Sequence, residues 1–156
     1  MVTFLGLLFV IAGYFLAMYY NSGLTEEAVP SWVAFVCGVF ILLYQLMDNM
    51  DGKQARRIGA SSALGFLFDH GCDALNAGIM SPVTLAACLG AGGPDRLHYA
   101  VAMWFITVST FFTNSWEEFH IGKFVLQIVN GPNEGIVVVV MVFFIAGIYS
   151  PHVWWS

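Results

Sequence analysis

The sequence predicts an all-α protein, a polytopic bundle of transmembrane helices with about five spans. Two observations carry that prediction. Hydrophobic residues make up 59% of the 156-residue chain and charged residues only 10%, against roughly 25% charged in a soluble globular domain. The apolar residues also gather into runs close to the roughly 20 residues that a bilayer requires. Runs of that kind fill the chain, leaving room for one membrane domain over residues 1–156 and for no separate soluble domain.

Each element follows from its punctuation. Residues 3–20 form the first run, ended by Asn21-Ser22-Gly23, and the polar Thr25-Glu26-Glu27 loop leads to Pro30, a residue suited to a helix start. The second span covers 31–47. Its helix continues past the membrane face, because residues 45–57 are good helix formers apart from Gly52. Residues 59–62 make the turn. A third span, 63–90, carries Asp69 and Asp73 on its first turns and stops at Gly90-Ala91-Gly92-Gly93-Pro94. Spans four and five are expected at 97–114 and 135–149, the last on the short side.

The charge is unevenly placed. Four of the ten acidic residues (Asp48, Asp51, Asp69 and Asp73) and three of the five basic ones (Lys53, Arg56 and Arg57) lie between positions 48 and 73. A carboxylate near bilayer depth costs roughly 2.5 to 3.5 kcal/mol on insertion scales, so four together need a compensating partner, and a bound cation is the natural one. A purely structural network of ion pairs with Lys53, Arg56 and Arg57 is the competing account. Lys53, Arg56 and Arg57 lie between spans two and three and Lys123 between spans four and five. The alternate loops hold Glu26, Glu27 and the neutral pair Asp95 and Arg96. The positive-inside rule then puts the acidic site on the cytosolic face. The net charge of −5 comes with no basic tract, so no nucleic-acid polymer is expected as a partner. Cys37, Cys72 and Cys88 are too widely spaced for a zinc site or a disulfide framework and read as small packing residues.

On helices, Asp48 and Asp51 (i, i+3) share one face and Asp69 and Asp73 (i, i+4) share another, so two faces can converge on one site. An oxygen-only ligand set suits Mg2+ or Mn2+ better than zinc. Two such ions would clamp a pyrophosphate and stabilise a leaving phosphate. Gly52 and Ala55 leave a strip poor in side chains where a nucleotide can approach the backbone, and Arg56 can fork onto phosphate or carboxylate. Gly65, one turn before Asp69, reads as a close helix crossing. Trp116 beside Glu117 and Glu118 suits either a quaternary ammonium or ordinary interfacial anchoring, and Trp154 and Trp155 read as an interface belt. His98, His120 and His152 read as surface residues.

The full pattern D-x2-D-G-x2-A-R-x8-G-x3-D-x3-D, from Asp48 to Asp73, resembles the signature of the CDP-alcohol phosphotransferase family, with every fixed position present. The segments Asp51 to Arg57, Leu67 to Asp73, Ser115 to His120 and Asn130 to Gly135 are similar to the eukaryotic choline and ethanolamine phosphotransferases. That resemblance implies transfer of phosphocholine or phosphoethanolamine from CDP-choline or CDP-ethanolamine to diacylglycerol, with Mg2+ or Mn2+ as cofactor, and residence in the endoplasmic reticulum or Golgi. It implies metal ligation by Asp48, Asp51, Asp69 and Asp73, a CMP contact at Gly52, Ala55, Arg56 and Gly65, and Asp73, His70 or Glu134 as the base.

The family core has six spans, and its choline and ethanolamine members add an amphipathic N-terminal helix, an Asn-containing stretch before the first span and further C-terminal spans. This chain reads as a fragment of that plan, with the sixth span and the dimer face of a homodimer missing. Phe66 stands where the resemblance leads one to expect Glu, and Ala63 where it leads one to expect Pro. Two other readings share parts of the evidence. One is a CDP-diacylglycerol-dependent phosphatidyltransferase, against which the Phe68-to-Asp73 and Trp116-Glu117-Glu118 segments argue. The other is a non-catalytic fragment or a cation pathway, in which Gly52, Ala55 and Arg56 have no obvious use.

Overall fold

The computed structural model describes residues 2–59, 62–121, 131–150 and 155, with the side chains of Arg56, Glu118, Phe119, Ile121 and residues 131–134 outside that description. The described residues form six α-helices: α1 (Val2–Tyr20), α2 (Ser31–Arg57), α3 (Ala63–Leu75), α4 (Ser81–Leu89), α5 (Leu97–Ile121) and α6 (Gly131–Tyr149). A five-residue π-helical turn, Asn76–Met80, joins α3 to α4 without a break. No strand occurs among the described residues, and the all-α expectation holds. Among the described residues three stretches are long and apolar enough to cross a membrane, Val2–Tyr20, Ser31–Ala55 and Ala63–Leu89, and Gly135–Tyr149 is a shorter apolar one. The continuation of the second helix past 47 is confirmed. The fourth expected span is a 25-residue helix diluted by Thr, Ser, Asn and Glu and is not one of the three.

Glycines set the helix spacing. A Cβ on Gly13 of α1 would stand 3.3 Å from Phe40 Cδ2 of α2, one on Gly38 of α2 2.8 Å from Phe143 Cβ of α6, and one on Gly147 of α6 2.7 Å from Phe35 Cβ. Without a hydrophobic drive between helices in lipid, such close backbone approach is the main source of packing energy. The main core forms around α2 and α4, where Val33, Ala34, Cys37, Ala87, Cys88, Phe143 and Ala146 are buried. The three cysteines are all buried as packing residues.

The loops at 21–30 and 90–96 form one locked end. Gly90 adopts φ +65° to close α4, and a Cβ there would lie 2.5 Å from the Glu26 carbonyl oxygen. Asn21 Nδ2 donates to the carbonyls of Glu27 at 2.8 Å and Ala87 at 3.1 Å. The Arg96 guanidinium donates to the Glu26 and Gly90 carbonyls and lies 4.4 Å from the centroid of the Trp155 ring. Trp155 itself donates from Nε1 to the Leu89 carbonyl at 2.6 Å, so it is part of this lock rather than a free member of an interface belt.

The π turn has an identifiable cause. Pro82 lies four residues after Gly78 and has no N–H to give its carbonyl, and the proline ring would clash with that carbonyl in a regular α-helix. The helix widens by one residue over Asn76–Met80, the usual remedy for a blocked hydrogen-bond ladder. Trp104 Nε1 of α5 donates to the freed Gly78 carbonyl at 2.8 Å, and Ser81 Oγ donates to the buried Asn76 Oδ1. Trp104→Phe should leave that carbonyl unsatisfied and destabilise the protein by about 1–3 kcal/mol. In a Pro82→Ala background, where residue 82 regains its N–H, the same change should cost less than half as much; reversible unfolding in detergent micelles, run as a double-mutant cycle, measures both.

Candidate functional site

The acidic residues sit at the end of the bundle away from the locked loops. Ser62, in extended conformation, caps α3 by accepting a hydrogen bond from Gly65 N at 3.1 Å, and two turns later α3 presents Asp69 and then Asp73. The last turns of α2 carry Asp48 and Asp51. One carboxylate oxygen from each of Asp48, Asp69 and Asp73 lies within 4.8 Å of the other two, and all three residues are half-buried. The expected convergence of two helix faces is therefore seen for this trio. Asp51, one turn further along α2, lies outside it.

Two hydroxyls from neighbouring turns fix these carboxylates. Tyr44, on the same face of α2 one turn before Asp48 and fully buried, donates to Asp73 Oδ1 at 2.6 Å. Gly6 of α1 makes room for it, since a Cβ there would lie 3.1 Å from Tyr44 Cδ2, and Leu7, Val10 and Cys72 complete the small core around the ring. Thr3, 3% exposed on the first turn of α1, places its Oγ1 3.0 Å from Asp51 Oδ2 and 3.2 Å from Asp69 Oδ1. Its backbone N–H donates to the same Asp51 oxygen at 3.1 Å. Neither residue was singled out from the sequence. Tyr44 carried a signal in its i, i+4 spacing to Asp48, and Thr3 carried one as the only hydroxyl ahead of Tyr14 in an apolar run.

The donor set fits a hard divalent cation. Oxygens bound to one Mg2+ at about 2.1 Å lie about 3–4 Å apart, so the trio needs only a small closure to share an ion. Asp48 Oδ1 is buried and accepts no hydrogen bond, an expensive arrangement for a carboxylate oxygen that a cation would relieve. Carboxylates this close resist ionising together, since any two that carry charge at this separation repel by a few kcal/mol at an effective dielectric of about 20.

The remaining sequence candidates are distributed around the trio. Gly52 and Ala55 are half-buried on α2, while Lys53 and Gln54 are exposed. His70 is half-buried on α3 and stacks on Phe66 at 4.1 Å between ring centroids. Among the described residues Gly65 makes no helix crossing: the one atom a Cβ there would meet within 4 Å is its own cap, Ser62 Oγ. The side chains of Arg56, Glu118 and Glu134 and the whole of Lys123, His152 and Trp154 lie outside the described residues. Trp116 stands on the exposed side of α5, flanked by Phe112 and His120. His98 and His120 are exposed, as expected.

With this geometry in place, comparison with known proteins decides the family. The family model described as CDP-alcohol phosphatidyltransferase matches residues 1–155. The chain belongs to the CDP-alcohol phosphatidyltransferase family. Choline/ethanolaminephosphotransferase 2 of Arabidopsis thaliana is 37% identical over 158 residues, covering 100% of this chain and 38% of that protein. Cholinephosphotransferase 1 of Saccharomyces cerevisiae is 34% identical over 155 residues, covering 99% and 38%. An uncharacterized family protein of Dictyostelium discoideum is 37% identical over 156 residues, covering 99% and 38%. The chain thus spans little more than a third of the length of these relatives. CDP-alcohol phosphatidyltransferases generally depend on divalent metal, and among the described residues the acidic trio is a group that could hold one.

Neutralising one member of the trio should separate stability from binding. Asp48→Asn should raise the melting temperature of the metal-free protein by removing repulsion and an orphaned anionic oxygen. It should also abolish the upward shift that saturating Mn2+ gives the unaltered chain, about 2.7 kcal/mol at 100 times Kd. Thermal unfolding in micelles with and without Mn2+ reads both effects.

Proposed function

We propose that this chain carries the catalytic core of a choline or ethanolamine phosphotransferase, which transfers phosphocholine or phosphoethanolamine from its CDP ester to diacylglycerol and releases CMP. The observation that carries the reading is the convergence of Asp48, Asp69 and Asp73 from α2 and α3 in a chain bearing the complete family signature. The names of the Arabidopsis and yeast relatives support the choice of alcohol class over a CDP-diacylglycerol donor.

Asp48, Asp69 and Asp73, with Asp51 beside them, would hold Mg2+ or Mn2+, two ions in the fullest form of the reading. A divalent cation held by these carboxylates would supply positive charge to the pyrophosphate of the donor and to the departing CMP. The chain's own residues do the rest. Gly52 and Ala55 let the CMP moiety approach α2 closely, with Arg56 directed to its phosphate and Gly65 on the facing helix. Tyr44 donates to one oxygen of Asp73 and so restrains that carboxylate. The acceptor hydroxyl oxygen forms the new bond to the β-phosphorus as the bond to CMP breaks, and its proton passes to His70, Asp73 or Glu134. The same reading places the site on the cytosolic face of the endoplasmic reticulum or Golgi, reached by the nucleotide from water and by diacylglycerol from the bilayer, in a homodimer.

Membranes containing this chain, or the longer protein of which it is a part, should convert labelled CDP-choline or CDP-ethanolamine and diacylglycerol into labelled phospholipid and CMP. EDTA or Asp73→Asn should remove at least 99% of that product, since a lost metal ligand costs on the order of 100-fold or more. Absence of product from both donors, with product from CDP-diacylglycerol and a soluble alcohol, overturns the reading.

A further inference from the structure

Thr3 is a residue outside the signature whose hydroxyl reaches two of the acidic residues. It joins three helices: its hydroxyl lies between Asp51 of α2 and Asp69 of α3, while its backbone N–H fixes Asp51 from α1. A hydroxyl has one proton and cannot satisfy two carboxylates at once, whereas the backbone N–H already serves Asp51 Oδ2. The hydroxyl is therefore free to turn toward Asp69 without stranding Asp51. Asp69 is the member of the trio that the Thr3 hydroxyl reaches, so Thr3 links Asp51 to one of the three convergent carboxylates. Nothing else about the residue explains its chemistry: it is 3% exposed in a run of Val, Phe and Leu where a methyl group in place of the hydroxyl would fill the same volume.

Resting on the metal-site reading above, we infer that Thr3 is a positioning residue of the cation site, its hydroxyl fixing the separation between Asp51 and the Asp48–Asp69–Asp73 trio. It touches neither substrate nor reacting atoms in this role. It acts through the two carboxylates, and partners of this kind commonly govern metal affinity by 10- to 100-fold.

Thr3→Val keeps the shape and the backbone N–H but deletes the hydroxyl, and Thr3→Ser keeps the hydroxyl but deletes the methyl. Mn2+ binding to the full chain in micelles, followed by electron paramagnetic resonance, gives the Kd directly and without turnover. Thr3→Val should weaken Mn2+ binding about 10-fold or more, and Thr3→Ser should stay within about 3-fold of the unaltered chain. Far-ultraviolet circular dichroism should be the same for all three. Equal Mn2+ affinity in Thr3→Val and the unaltered chain overturns the inference alone. So does a loss in Thr3→Ser as large as in Thr3→Val, which would make the residue a packing element. An unaltered chain that binds no Mn2+ overturns the metal-site reading and this inference with it.

Discussion

Carboxylates that converge inside an apolar bundle are the constraint on which the rest of this structure depends. Asp48, Asp69 and Asp73 repel one another, and Asp48 Oδ1 is buried with nothing donating to it, so the site end of the bundle is costly as it stands. Such a cost persists where the surrounding packing over-determines the arrangement, and here it does. Both halves of the trio are carried by helices, α2 and α3, and neither can withdraw its carboxylates without unwinding turns that are packed on α1.

That packing depends on residues with small or absent side chains. Gly6 lets α1 lie against the ring of Tyr44, and this contact brings two hydroxyls to the acidic cluster from opposite sides, Tyr44 to Asp73 and Thr3 to Asp51 and Asp69. A larger residue at position 6 would push α1 away from α2 and carry Thr3 with it. The glycine is thus a determinant of site geometry although it meets none of the acids. The same logic applies on the far side of α2, where Gly38 and Gly147 let α6 lie close against it.

The sequence made the helices and the acidic pairs legible because both leave periodic or compositional marks. Apolar runs of bilayer length and the i, i+3 and i, i+4 spacing of the aspartates need no tertiary information. What escaped was whatever depends on which helix lies next to which. Thr3 has no sequence neighbour that marks it, and its partners are 48 and 66 residues away. The π turn escaped because residues 63–90 remain apolar and helix-compatible throughout, and Pro82 alone does not say whether a helix will kink, stop or widen. Trp104, 26 residues from Gly78 in sequence, supplies the missing donor and makes widening the cheapest answer. Gly65 shows the opposite error: a small residue near a site suggests a helix crossing, yet its freedom is used by the Ser62 cap.

The two ends of the bundle are held by different chemistry. At the far end, Asn21, Gly90, Arg96 and Trp155 tie loop to loop largely through backbone carbonyls, which are neutral and keep their partners whatever is bound elsewhere. At the site end, Tyr44 and Thr3 reach the carboxylates themselves, so whatever changes the charge there changes the bonds that hold α1, α2 and α3 together. Local opening is easiest where stability is lowest, and the repulsive trio makes that the site end.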